Sequence, residues 1–196
     1  MFKEQSPKKY VLDSCIGRRC YENPAYFDML KIKVDDLSAA TTVFTTVSEY
    51  EINKRAEYGF DHMHSQLESS FGSKISIEQI TFDMKQLGIW LCDNIEGLHF
   101  PDDQILAYAM ITDSVLVTCD KGLENAAVCV GHDVINPDRQ IVNWTKTKTK
   151  TDFSKIAQNK VNQFKHKIDI PVQTIQKIPN QRIKKSIRKI VWSTFV

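Results

Sequence analysis

The run Tyr10-Val11-Leu12-Asp13-Ser14-Cys15-Ile16 constrains this chain more than any other stretch. Apolar residues lead straight into an acid and then into small side chains, the pattern of a buried strand whose carboxyl end carries one carboxylate. Strands of a parallel sheet are covered on both faces and therefore read as unbroken apolar runs. Ligands of open α/β sheets collect beyond the strands' carboxyl ends, where the connections diverge. Asp13 is placed for chemistry on this argument, although an acid after a strand also serves as a turn former or a helix N-cap. The pattern returns in Ser114-Val115-Leu116-Val117-Thr118-Cys119-Asp120, a stronger β-branched run that again ends in an acid. Two strands each delivering an Asp at one edge point to a shared acidic site.

The segments between them read as alternating strands and helices. Pro24 to Leu30 has the proline near its start that short helices favour. Thr41 to Val47 is β-branched and reads as a second strand. Ser48-Glu49-Tyr50-Glu51 then has the spacing of a capping box, which opens a helix ending near Tyr58, before Gly59. Glu49 and Glu51 fall in its first turn. Residues 60–73 are weakly patterned, part helix and part loop; His62 and His64 have a metal-ligand spacing there, but with no further ligand nearby a solvated pair is the plainer reading. Ser76 to Gln79 opens another helix, striped by Ile77, Ile80, Met84, Leu87 and Leu91. Pro101 and Asp102 form a helix entry, Asp103 sits in the first turn, and Ile105, Leu106, Ala109 and Met110 face inward. Lys121 to Ala127 is a short helix and Val128-Cys129-Val130 a brief edge strand. This order implies an α/β fold with a mainly parallel sheet and right-handed crossovers.

No apolar run approaches the roughly 20 residues that span a bilayer, and Met1 to Gln5 lacks the apolar core of a signal peptide, so the expected location is cytoplasmic. The five cysteines are odd in number and scattered, which argues against a disulfide framework or a zinc ribbon and for reduced thiols. Charge is divided along the chain. Residues 139–196 hold 14 Lys and Arg against two acids, whereas the preceding residues hold 12 against 22. A domain over 1–137 and a basic extension over 138–196 follow, with residues 145–151 as linker and amphipathic helices beyond. The extension has three readings: a solvated helix packed on its own domain, an RNA-holding arm in which Trp144, Phe164 or Trp192 stacks bases, or a membrane-surface helix.

Asp13, a Glu after the second strand, Asp103 and Asp120 can converge on one sheet edge. Crowded carboxylates repel one another, and their ionised forms become tolerable when a cation sits among them. Hard oxygen donors without His or Cys select Mg²⁺ or Mn²⁺ rather than zinc. Such ions, about 3.5–4 Å apart in two-metal sites, suit phosphodiester hydrolysis, which makes nucleic acid the natural substrate.

Val11-Leu12-Asp13-Ser14, Ser48-Glu49-Tyr50-Glu51-Ile52, Asp103-Gln104-Ile105-Leu106-Ala107 and Val117-Thr118-Cys119-Asp120 resemble, in order, the four signatures of PIN-domain nucleases. The similarity spans residues 8–137 and is strongest with VapC-like members. It implies a three-layer α/β/α fold and a Mg²⁺- or Mn²⁺-dependent endoribonuclease, with Asp13, Glu51, Asp103 and Asp120 as metal-binding acids and Thr118 as the supporting hydroxyl. Glu51 is preferred to Glu49 because Ile52 follows it, and Asp103 to Asp102 because of its spacing to Ile105 and Leu106. Cys15 stands where many relatives have Asn. The resemblance also implies a homodimer, and the chemistry it implies serves a toxin role with an antitoxin partner, RNA processing and general RNA turnover alike. An inactive RNA-binding scaffold of the same fold and a DNA-directed nuclease are the alternatives.

Overall fold

Tyr10, Val11 and Leu12 lie in the middle strand of a five-stranded sheet in which every pairing is parallel. The computed structural model of the chain describes residues 8–34, 40–139 and 152–168. Along these the elements run β1 (Lys9–Leu12), α1 (Ser14–Glu22), α2 (Pro24–Lys33), β2 (Thr41–Thr45), α3 (Thr46–Arg55), α4 (Phe60–Phe71) and β3 (Ile75–Glu78). They continue with α5 (Phe82–Asn94), α6 (Asp102–Thr112), β4 (Val115–Val117), α7 (Lys121–Cys129), β5 (Val134–Ile135) and α8 (Asp152–Ile168). Strand order is β3-β2-β1-β4-β5. The chain leaves β1 toward β2 and β3, then returns to place β4 on the other side, so the connections diverge between β1 and β4. That is the point where open parallel sheets form a ligand crevice.

Side chains alternate across each strand, and two cores result. Tyr10, Leu12, Phe44 and Val117 pack with Ile16 and Cys20 of α1, Leu30 of α2 and Phe60, Met63 and Leu67 of α4. Val11, Val43 and Leu116 face the other way, against Leu87 and Leu91 of α5, nearly the whole of α6, and Leu123 and Ala127 of α7. The result is the three-layer α/β/α arrangement. Ala157, Val161 and Phe164 of α8 join this second core. The chain separates into one compact unit reaching to Phe164 and a second from Lys165 to Val196; only four residues of the second are described, as the last turn of α8.

Several local expectations are corrected. Ser76 to Gln79 does not open a helix: residues 75–78 form β3, paired with Thr42 to Thr45 of β2, and the helix begins at Phe82 behind a Thr81 N-cap. The apparent stripe ran across this boundary, and Ile77 is exposed whereas Met84, Leu87 and Leu91 are buried. Val128 and Cys129 end α7, and the edge strand is Val134–Ile135. Residues 60–71 are a full helix burying Phe60, Met63, Leu67 and Phe71, a four-contact stripe diluted by histidines and serines. Phe164 is buried and so is unavailable for base stacking; Trp144, Trp192, the linker and the second tail helix lie outside the described residues. Among the described residues no helix is long and apolar enough to cross a membrane.

Phe44 is fully buried at the centre of the first core and is paired in register with Leu12, directly before Asp13. Phe44→Ala is expected to destabilise the protein by about 3–5 kcal/mol, measured by urea unfolding.

Candidate metal centre

Parallel pairing brings three strand ends to one rim. Leu12 is in register with Phe44 on one side and Val117 on the other, so Asp13, Thr45 and Thr118 emerge side by side. The Asp13 backbone N–H donates to the Val117 carbonyl at 3.0 Å, which extends the ladder by one residue before α1 begins. Asp13 is the N-cap of α1, but its side chain makes no capping bond. Its Oδ2 instead accepts from Thr118 Oγ1 at 2.7 Å and from Cys15 Sγ at 3.0 Å. Thr118 Oγ1 in turn accepts the Asp120 N–H at 2.9 Å. The hydroxyl, fully buried, ties the ends of β1 and β4 together.

Glu51 reaches the same place from α3. The cap of that helix is Thr45, whose Oγ1 accepts the Ser48 N–H at 3.2 Å, so the cap lies three residues before the Ser48 expected from the sequence. Ser48 Oγ donates to the Leu12 carbonyl at 3.4 Å and moors α3 to the central strand. Glu51 is buried, its Oε2 accepts from Ser14 Oγ at 2.8 Å, and Arg55 lies 3.6 Å from Oε1 one turn on. Glu49, the other acid of this turn, is part-exposed and stands outside the cluster.

The third carboxylate comes from Asp102, the first residue of α6. Asp13, Glu51 and Asp102 each offer a ligand oxygen within 4.8 Å of the others. Asp103, expected from its spacing, points elsewhere: it is buried against α5, where a Cβ on Gly88 would lie 3.0 Å from its Oδ2, and its Oδ1 has no hydrogen-bond partner among the described residues. Burial raises the Asp103 carboxyl above its usual range. Asp120 caps α7, its Oδ1 accepting the Leu123 N–H at 2.8 Å. It is exposed and outside the three-oxygen group, but its charge acts on Asp102.

Ser14 was not singled out by the sequence, although it directly follows Asp13. Its hydroxyl, like the Cys15 thiol, supplies a donor to an acid of the rim. His64 is engaged at 2.8 Å with the Ile75 carbonyl and His62 packs edge-on against Tyr21, so the two do not form a ligand pair.

Burial first, and then the charges of Asp13, Asp120 and Glu51, raise the Asp102 carboxyl from 3.8 to about 7. The donor set is all carboxylate oxygen, crowded enough that one member holds its proton near neutrality. This is the chemistry a hard divalent cation relieves, and the residues fit Mg²⁺ or Mn²⁺.

No family model matches the chain, and no curated protein does. Solved structures match over 65% of it. One is VapBC2 from Rickettsia felis bound to a DNA fragment from their promoter, with 16% identity, a TM-score of 0.47 and 98% of that chain covered. Another is a toxin–antitoxin complex from Klebsiella pneumoniae, with 17% identity, a TM-score of 0.48 and 97% covered. A third is FitAB bound to an IR36 DNA fragment, with 16% identity, a TM-score of 0.45 and 94% covered.

The Asp102 shift has a signed consequence for stability. An unfolded carboxyl releases its proton near 3.8 and the folded one near 7. Between these values the folded state binds more protons, so stability falls as pH rises through the window. The full shift corresponds to at most about 4 kcal/mol, and partial solvent exposure reduces this to about 1–3 kcal/mol. Asp102→Asn is expected to remove that slope and to make the chelator-treated protein more stable than wild type at pH 8, as read by urea unfolding across pH 4–8.

Proposed function

We propose that this protein is a Mg²⁺- or Mn²⁺-dependent endoribonuclease of the PIN-domain type, with Asp13, Glu51 and Asp102 as the cation-holding acids and Asp120 completing the rim. The observation that carries the reading is the meeting of three carboxylates, from three separate stretches of chain, within 4.8 Å at the carboxyl rim of a parallel sheet. The order of the four sequence signatures supports the same reading, with Asp102 taking the place that spacing gave to Asp103.

When bound, such an ion supplies Lewis acidity toward a phosphodiester. The protein's own groups prepare for it. Thr118 and Cys15 aim Asp13 Oδ2, Ser14 aims Glu51 Oε2, and both acids are therefore oriented before any ligand arrives. Asp102 holds a proton near neutral pH and gives it up as positive charge enters the cluster. Pre-oriented acids lose little freedom on binding, which is the advantage of a supported ligand set.

Substrate access is consistent with a single strand. A cleft of about 250 Å³ lies along α3 and α6, the helices that supply Glu51 and Asp102, lined by Tyr50, Lys85, Phe100 and Gln104 among others. Tyr50 and Phe100 are 56% and 62% exposed and offer faces on which unpaired bases stack. The basic extension adds phosphate neutralisation, which is strongly salt-dependent. An antitoxin protein that covers the acidic rim, and a homodimer, belong to the toxin form of this reading.

Cleavage of a short single-stranded RNA in Mn²⁺ tests it. Asp13→Asn and Asp102→Asn are each expected to lower the rate by more than about 100-fold. Asp103→Asn leaves the rate per folded molecule unchanged, with folding checked by circular dichroism. Cleavage that survives both of the first substitutions rejects the assignment. Preferential cutting of a matched single-stranded DNA would transfer the activity to DNA.

A further inference from the structure

Two thiols stand beside the acidic rim. Cys15 lies in the first turn of α1 and Cys119 in the loop between β4 and α7, segments 104 residues apart that the β1–β4 pairing makes neighbours. The Cys119 backbone N–H donates to Cys15 Sγ at 3.2 Å, and both residues pack against the same apolar core. A disulfide joins Cα atoms about 4.4–6.8 Å apart, and the 3.2 Å contact of Cys15 Sγ with the Cys119 backbone nitrogen makes the two residues close neighbours. Both residues are part-exposed, whereas Cys20 is buried, the Cys92 thiol donates to the Leu98 carbonyl, and Cys129 stands exposed on α7.

We propose that Cys15 and Cys119 are a peroxide-oxidisable pair that closes into a disulfide and disarms Asp13. Cys119, the less enclosed thiol, attacks hydrogen peroxide; its sulfur forms a bond to one oxygen, the O–O bond breaks, and water leaves as Cys119 becomes a sulfenic acid. Cys15 sulfur then attacks that sulfur, the S–O bond breaks, and a second water departs. Two thiols are oxidised by two electrons and one peroxide is reduced to two waters.

The consequence follows from what Cys15 does when reduced. Its S–H donates to Asp13 Oδ2 at 3.0 Å, one of the two side-chain bonds that orient this carboxylate. A disulfide sulfur has no proton to donate. Closing the bond also ties the Thr118-Cys119-Asp120 segment to the start of α1, on either side of the rim. The effect on cation binding rests on the function proposed above, whereas closure of the pair does not.

The test uses the full chain in a Cys129→Ser background, which removes the exposed thiol able to bridge two molecules. Reduced protein is freed of reductant, treated with hydrogen peroxide and digested without reduction. The expected result is a peptide pair linked through Cys15 and Cys119, with intact mass lowered by two hydrogens. Mn²⁺ affinity by calorimetry should fall about ten-fold, and dithiothreitol should restore both mass and affinity. Adding Cys119→Ser should leave Mn²⁺ affinity at the reduced wild-type level and make it indifferent to peroxide. Protein that keeps both thiols, that links through another cysteine, or that forms the 15–119 bond without change in Mn²⁺ affinity overturns the proposal. Reduced protein that takes up no Mn²⁺ overturns the proposed function instead, and the peptide map then judges the thiol pair by itself.

Discussion

Mutual repulsion among Asp13, Glu51 and Asp102 is the constraint around which this structure is arranged. Their oxygens lie within 4.8 Å in a rim partly withdrawn from water, where like charges interact far more strongly than in bulk solvent. The fold answers in two ways. Neutral donors are placed on two of the acids, Thr118 and Cys15 on Asp13 and Ser14 on Glu51. The third, Asp102, is left to hold its proton. Repulsion stored in this manner is what a cation among the three carboxylates would relieve.

Keeping such a cluster together requires a frame that does not yield, and the sheet supplies it. Because all five strands are parallel, every carboxyl end falls on one side, and β1, β2 and β4 deliver their terminal residues in one row. Each central strand is clamped between two apolar layers, with Leu12 and Val11 buried on opposite faces. The polar ties across the rim are short and nearly all local to the strand ends. Thr118 joins β1 to the loop before α7, Ser48 joins α3 to β1, and Ser14 joins α1 to α3. Stiffness in the apolar layers and orientation in the hydroxyls are thus separate contributions to one geometry.

How much of this was legible varied with the kind of signal. β1, β2 and β4 could be read because strands buried on both faces leave unbroken apolar runs ending in small or acidic residues. α6 was equally clear, since nearly all its apolar residues are buried. α1 leaves no helical stripe in the sequence because Ser14-Cys15-Ile16-Gly17-Arg18-Arg19 has two arginines and a glycine in a short span. The start of β3 was hidden by Ile77 and Ile80, whose spacing continues the stripe of α5 although the backbone turns between them. Short edge strands carry too few residues for a period of two to stand out.

The acids show the boundary most clearly. From the sequence alone came the acidic composition of the site, its position at the carboxyl end of β1, the placing of Asp13 there, and the choice of hard oxygen donors over His or Cys. These depend on residue type and on the periodicity of buried elements, both of which are written locally. Whether Asp102 or Asp103 turns toward Asp13 was decided only by tertiary structure. Neighbouring residues on a helix point about 100° apart, so their directions depend on how α6 is rolled against α5, where Gly88 admits Asp103 and leaves Asp102 facing the rim. The meeting of Cys15 with Cys119 has the same origin, because parallel strand pairing, and nothing in either local segment, makes them neighbours.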